Sequence, residues 1–473
     1  MKKNYFLAIA VAALMLATTL AQAADITFSG QFRPRFEVQE DANNITSSRE
    51  SFATRVRLNA AANINANTSA FLQFQSVGTW GNAGSSSGSR ASAGGSDAVD
   101  DVGFHQAFLT FKNFLGSSFD AKVGRQEVVL DGHRLFGHTG WTTGAQTNDA
   151  IRFNHSAGNH TVNYIYIAAI ENGSLSASND ANSNLHVFRA ATQGVMGGDL
   201  TGYFVIADDR STDNGSFDDN TWYTVGARQK GKMAGLDYRV EFYHQFGDGA
   251  VDATAANFSA AYDNVTNSTA ANGSDIDRNA TMFGIRVGKT FKNATFSPTI
   301  TLWFDSLSGT DDDDATNSDM GTFNTVQDTG HKFYGLIDNY TNAAGTGTNY
   351  YGLQDIAIKA KFKLSDVNTL KVDWHQFLTH TDLEGGDSTT IRSQNAGAFT
   401  DANNGTGVLG NDLGQEIDVT LVHKYDSNTK IVAGYSHYFT TVTHGYLNGS
   451  GGTAGRSAMD GQDWMYVMMD TKF

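Results

Sequence analysis

Trp464-Met465-Tyr466-Val467-Met468-Met469-Asp470-Thr471-Lys472-Phe473 closes the chain, and its reading decides the fold. Met465, Val467, Met469 and Phe473 fall on one parity, Asp470 and Lys472 on the other. Alternate side chains of a strand point to opposite faces, so this segment has one apolar and one polar face. An amphipathic last strand ending on an aromatic residue is what a bacterial outer-membrane barrel presents as its closing strand, paired with the first. That first strand is expected at 26–39, with Phe28, Phe32, Phe36 and Val38 toward lipid and Arg33, Arg35 and Glu37 inward. Pro34 removes a ladder donor there, and a local bulge is expected.

The N-terminus agrees with export. Lys2 and Lys3 precede an apolar core from Tyr5 to Leu20 and a small-residue cleavage box at Ala21-Gln22-Ala23. This pattern predicts a signal peptide over 1–23 and a mature chain over 24–473. Cysteine is absent, which excludes a lipid-anchored cysteine and any disulfide.

Composition points the same way. Proline occurs only 2 times, as suits a chain made mostly of paired strands, while glycine occurs 50 times and phenylalanine 31. Mean hydropathy is negative, too polar for a helical membrane protein but consistent with strands that face lipid on one side only. Without residues 1–23 the chain holds 31 basic and 49 acidic residues, a net charge of −18, which disfavours nucleic acid as a partner. Many acids sit in loops; Asp311 to Asp314 reads as a solvated tip rather than a calcium site.

Period-two alternation predicts about eighteen strands, near 26–39, 51–64, 68–78, 103–114, 117–129, 148–155, 160–170, 184–192, 199–208, 221–231, 234–246, 281–291, 294–306, 353–364, 367–380, 414–425, 429–442 and 462–473. Tight turns at 112–117, 156–158, 231–234, 292–293, 365–366 and 426–428 alternate with long polar segments at 79–102, 131–147, 247–279, 307–352, 381–412 and 443–461. Short turns at one end and long loops at the other are the pattern of an all-β transmembrane antiparallel barrel, turns facing the periplasm. Its expected surroundings are outer-membrane lipid and lipopolysaccharide, reached through the barrel assembly machinery.

The same parity places Arg55 and Arg57, between lipid-facing Phe52, Val56 and Leu58, in the lumen. Arg152, Arg239, Arg286, Lys359, Lys361 and Lys363 follow. Lumen acids such as Glu37, Glu241, Asp373, Glu416 and Asp418 stand ready to neutralise them. Left unpaired, rings of Arg or Lys would attract anions.

One set of blocks goes beyond barrel patterning. Gly124-Arg125-Gln126-Glu127, Asp131-Gly132-His133-Arg134-Leu135-Phe136-Gly137, Trp141 and Asn148-Asp149-Ala150-Ile151-Arg152-Phe153 resemble the alginate-export family of outer-membrane channels. So do His331 to Asp338, Leu353 to Ile356, Gly414 to Asp418 and Ala433 to Phe439. The resemblance implies an eighteen-stranded barrel whose arginine-lined constriction passes an acidic polysaccharide. Arg125, Arg134 and Arg152 would be its arginines, with Asp149 as a partner. Two departures stand out. Thr142, Thr143 and Gln146 lie where the family is richer in arginine, and Asn148 replaces an aromatic before the Asp-Ala pair. A general or sugar-selective porin is therefore the alternative to a polyuronate channel.

Catalysis finds little support. There is no cysteine nucleophile, and Ser436-His437 are strand neighbours that point to opposite faces. The 13 histidines show no H-E-x-x-H spacing, and no metal or other cofactor is expected. A loop-built adhesin is a third class. The sequence reads as a passive channel, narrowed by loop 131–147, with Arg33, Arg35, Arg55, Arg57, Arg125, Arg134, Asp149 and Arg152 as candidate pore groups.

Overall fold

The structure is a computed structural model. It describes residues 25–41, 44–80, 102–170, 183–209, 220–249, 277–310, 319–341, 348, 350–381, 399–401, 405–407, 410–441, 443–444 and 461–473. The expected signal peptide, Asp311 to Asp314 and most of the long segments other than 131–147 and 307–352 lie outside the described residues.

Eighteen strands form the wall. They are β1 (Asp25–Asp41), β2 (Asn44–Asn63), β3 (Thr68–Thr79), β4 (Gly103–Phe111), β5 (Asp120–Gln126) and β6 (Asn148–Ala157). Then come β7 (His160–Ile170), β8 (Ser183–Val195), β9 (Gly198–Asp209), β10 (Asn220–Met233), β11 (Leu236–Asp248) and β12 (Asp277–Thr290). The last are β13 (Thr299–Leu307), β14 (Leu353–Lys363), β15 (Asn368–Leu378), β16 (Asp412–Lys424), β17 (Thr429–Thr440) and β18 (Gln462–Lys472). Each pairs antiparallel with its chain neighbours, and β18 returns to β1 from Gln31↔Lys472 to Gln39↔Trp464. The sheet is a closed barrel with no free edge, so every wall strand has a partner on both sides.

Lipid-facing parity is visible as exposure. Phe28, Phe32 and Phe36 of β1 and Met465, Val467 and Met469 of β18 are exposed, while Arg33, Arg35 and Asp470 are buried in the lumen. Pro34 produces no bulge. The β1–β2 register runs unbroken past Pro34↔Thr54 and shifts only at Glu40/Asp41. The β1–β18 register is the same before and after a gap at Arg33 and Pro34. The missing donor costs a local rung rather than an extra residue.

Short turns are tighter than the sequence suggested at two places. Ser156 and Ala157 belong to β6, and Gly231 to Met233 belong to β10, leaving two-residue turns. Ala234-Gly235 and Met196-Gly197 each have positive φ at both positions, the conformation that matches strand twist in a two-residue hairpin.

The lumen carries a hydrophobic core on one side. Inward Ile165, Ile167, Val187, Val205, Tyr243, Met282 and Leu307, from β7 to β13, pack against two chain segments folded into the barrel. The first follows β5 and contributes Val128, Leu130, Leu135 and Phe136; the second precedes β14 and contributes Phe323, Phe333, Tyr334, Ile337 and Tyr340. Fully burying one such side chain is worth about 1.5–3 kcal/mol, so the inward position of these segments is driven by the same effect as any core. The two also pair with each other, through Gly137 N–H to Gln327 O at 2.8 Å and Gln327 N–H to Leu135 O at 2.9 Å.

Candidate functional site

The first inward segment, 127–147, is held at its base by Arg134. Its guanidinium donates to Asp305 of β13, to Glu241 of β11 at 3.4 Å and to the Tyr334 hydroxyl at 2.5 Å, and it lies 3.9 Å from the Phe333 ring. Arg228, Arg239 and Arg286 also reach Glu241, and Arg286 reaches Asp305 at 3.2 Å. Two carboxylates thus serve four arginines inside a buried knot. Arg134 is 2% exposed, an anchor between wall and loop rather than a group facing open lumen.

The tip of the same segment is held differently. Arg33 donates to the carbonyl oxygens of Gly140 at 2.6 Å, Trp141 at 3.0 Å and Thr142 at 2.9 Å. Arg55 reaches Gly140 O at 3.2 Å and Thr142 O at 3.3 Å, and Arg35 reaches Trp141 O at 2.8 Å. Arg35 is additionally paired with Glu37 at 3.0 Å, and Arg57 with Glu127 at 3.4 Å. Carbonyls satisfy the N–H donors but carry no net charge, so Arg33 and Arg55 keep theirs uncancelled. Thr139 and Val326, both β-branched, take positive φ in these segments, a strained conformation that persists only where the surroundings over-determine it.

Trp141 occupies the centre. The His331 ring stacks on one face at 4.4 Å and 6°, and the Arg35 guanidinium covers it at 4.3 Å. His331 is oriented by Asp338 through a 2.7 Å bond from Nδ1. Two cavities meet at this stack, and Trp141 and His331 are the residues common to both linings. The cavity of about 1000 Å³ on the short-turn side is lined by eight lysines and arginines against three carboxylates, Glu127, Asp373 and Asp470. The other, about 640 Å³, lies toward the long loops and includes Arg278 and Asp328.

The second inward segment is pinned to the opposite wall by the later sequence blocks. Glu416 of β16 accepts the backbone N–H of Leu336 at 2.6 Å and of Ile337 at 3.0 Å. Tyr340 and Tyr438 share a 2.6 Å hydroxyl bond, and Tyr438 donates to Leu413 O. Asp355, His375, Asp418 and Ser436 form a buried polar chain below them, with 2.8 Å between His375 Nδ1 and Asp355 and a 2.5 Å bond from Ser436 to Asp418. The blocks at 331–338, 353–356, 414–418 and 433–439 therefore lie together around the second inward segment, which carries His331.

Arg125 and Asp149 stand apart. They pair bidentately at 3.0 and 2.7 Å, but share the outward parity of Val123 and exposed Ile151. The pair sits on the outer surface of the wall, 42% and 56% exposed, and does not line the lumen. Arg152 does face inward, opposite buried Ile165, beside Arg189, which is itself bonded to Asp131 at 2.6 and 2.8 Å. Sequence reasoning missed His331, Lys332, Lys371 and Arg278 as members of the path, while Glu416, read there as a lumen acid, proves to hold the second inward segment. Inward parity on a strand was the available signal for Lys371, whereas Arg278 fell in the long polar segment 247–279 and joins a strand only in the structure.

Titration in the loop segments follows burial. Burial, with Lys332 and His138 nearby, pushes the His133 imidazole down to about 4. Burial also lowers His138, against the pull of Glu127. Burial pushes the Asp328 carboxyl up to about 7, opposed by Arg134 and a hydrogen bond from Thr325. Among the described residues no group of three or more histidines, aspartates or glutamates is placed to hold a metal.

Residues 24–443 match the family described as alginate export. No curated protein matches the chain significantly. Similar solved structures include OccK9 (OpdG) of Pseudomonas aeruginosa, with 11% identity, a TM-score of 0.56 and coverage of 95% of this chain and 98% of that one. OccAB1 of Acinetobacter baumannii gives 12% identity, 0.54, and coverage of 96% and 98%. OccK2 (OpdF) of Pseudomonas aeruginosa, solved in complex with glucuronate, gives 10% identity, 0.50, and coverage of 95% and 98%. At these identities the likeness is one of fold, a porin-type outer-membrane barrel.

Proposed function

This chain belongs to the alginate export family, an outer-membrane channel by its barrel and its location, and from that premise we propose that the solutes it passes are acidic saccharides. One observation carries the reading: Arg33 and Arg55 project into the lumen with carbonyl rather than carboxylate partners, over a cavity where basic groups outnumber acids eight to three. A charged wall in a confined, low-dielectric path acts on a permeating ion more strongly than loop acids screened within about 8 Å of water. The net acidity of the chain therefore does not set its ion preference. The glucuronate complex of OccK2 lends the reading a chemical precedent in a barrel of similar fold, a single uronate sugar.

The path runs from the long-loop side, past the Trp141–His331 stack, to the arginines and on to Lys371, Lys430 and Lys472 near the short turns. Passage is passive and follows the gradient. On the same reading residues 1–23 are removed as an export signal, and the barrel is inserted by the assembly machinery beside lipopolysaccharide. Reversal potential in planar bilayers under a salt gradient tests the proposal, with glucuronate and then an oligouronate added as blockers. Anion preference with saccharide block is expected. Cation preference without block would leave a general porin.

A further inference from the structure

We propose that the cavity on the long-loop side is a separate binding subsite for the carboxylate of an acidic sugar, centred on Arg278; this rests on the solute class proposed above. Arg278 lies at the outermost end of β12 with inward parity and is 7% exposed. Among the described residues its guanidinium has one weak acceptor, Thr322 O at 3.3 Å, and it sits 4.8 Å from the Trp222 ring. Among the described residues its Nε has no hydrogen-bond partner, and no ion pair links it to a carboxylate.

That makes it an exception among the buried arginines of the described residues. Arg134, Arg228, Arg239 and Arg286 share Glu241 and Asp305, Arg57 has Glu127, and Arg33 and Arg55 have the loop carbonyls. A buried charge without a partner is costly, and an incoming anion would supply the missing charge. The cavity it lines has about 640 Å³, within the size range of small-molecule pockets, and offers neutral hydrogen-bonding groups from Gln146, Asn324, Gln327, Thr139 and Thr142. One cation ringed by amides and hydroxyls is the chemistry of a sugar bearing one carboxylate.

Two acids line the same cavity, and neither defeats the assignment. Asp338 is held by His331 at 2.7 Å. Asp328 is pushed up to about 7 by burial, so it is largely protonated below neutral pH and repels little. The Trp141–His331 stack separates this cavity from the arginines of β1 and β2, so a sugar bound at Arg278 waits outside the narrow zone.

The test is sided block of oriented channels by glucuronate, comparing the native chain with Arg278→Gln and Arg278→Lys. From the long-loop side, Arg278→Gln should raise the half-blocking concentration at least about tenfold, the factor lost with one charge-assisted hydrogen bond, while Arg278→Lys loses less. Block from the short-turn side should stay as in the native chain. Resistance of the folded barrel to heat should be unchanged or higher in Arg278→Gln, because an uncompensated charge has been removed; a purely structural arginine would lower it. Native block from the long-loop side in Arg278→Gln would overturn the subsite. So would an equal loss from both sides, which would place the binding at the shared narrow zone. If the native channel itself shows neither anion preference nor block, the solute class fails first and the subsite falls with it.

Discussion

The two sides of the inner wall use the same residue for opposite ends. From β10 to β13, arginines meet carboxylates: four guanidiniums converge on Glu241 and Asp305 around a hydrophobic core. On β1 and β2, Arg33 and Arg55 meet carbonyls of the folded-in loop, and their charge survives into the lumen. The acceptor decides the role. A carboxylate turns an arginine into mortar, whereas a carbonyl leaves it a positive surface that a solute can feel.

Breaking the mortar should have the largest effect. Arg134→Ala leaves Glu241 and Asp305 short of one buried cation, and removing one partner of a buried pair costs about 3–5 kcal/mol. The expected outcome is an undocked segment 127–147, read as a larger single-channel conductance and a barrel that loses its folded gel mobility at lower temperature. Unchanged conductance would mean that the hydrophobic contacts alone hold the loop.

Changing the positive surface comes next. In a double variant, Arg33→Gln with Arg55→Gln, amide groups can still donate to Gly140 and Thr142, so the loop tip stays near its place, with each charged hydrogen bond lost costing about 1.5–3 kcal/mol. The reversal potential should move toward cation preference, with a moderate fall in thermal resistance from the charged hydrogen bonds that the amides do not replace. A strong fall in stability without a selectivity change would merge the two halves of the wall into one structural class.

Acid should sharpen the contrast more gently. An undocked loop binds a proton on His133 near the ordinary value of about 6.5, whereas the docked loop holds that group at about 4. Between those values the undocked form carries more protons, so docking is strongest above pH 6.5 and weakens as pH falls toward 4. Asp328, pushed up to about 7 by burial, acts in the opposite sense over the same window, so the histidine is read as a difference: open-channel noise of the native chain relative to His133→Gln should grow as pH falls from 7 to 4.

The smallest effect is expected outside. Arg125→Gln breaks an exposed pair with Asp149, worth about 0.2–1 kcal/mol, and should leave reversal potential and block unaltered. A selectivity change there would bring the outer face back into the path.

The barrel was legible because its code is local. Alternation with period two, two prolines in the whole chain and the regular exchange of short turns with long loops give strand number, facing and closure without any knowledge of distant contacts. Even Arg33, Arg35, Arg55 and Arg57 could be placed inside from their immediate neighbours. Arg125 could not, because its block resembles a pore motif while its parity, shared with Val123, turns it outward.

What the tertiary structure alone decided is which charges survive. Arg134 finds Asp305 across 171 residues, and Arg33 finds Gly140 across 107. Cancellation depends on where folded segments bring an acceptor, and that position is set by hydrophobic packing among side chains far apart in the chain. A strand's facing is written in its own residues; the electrostatics of the lumen is written only in how the segments meet.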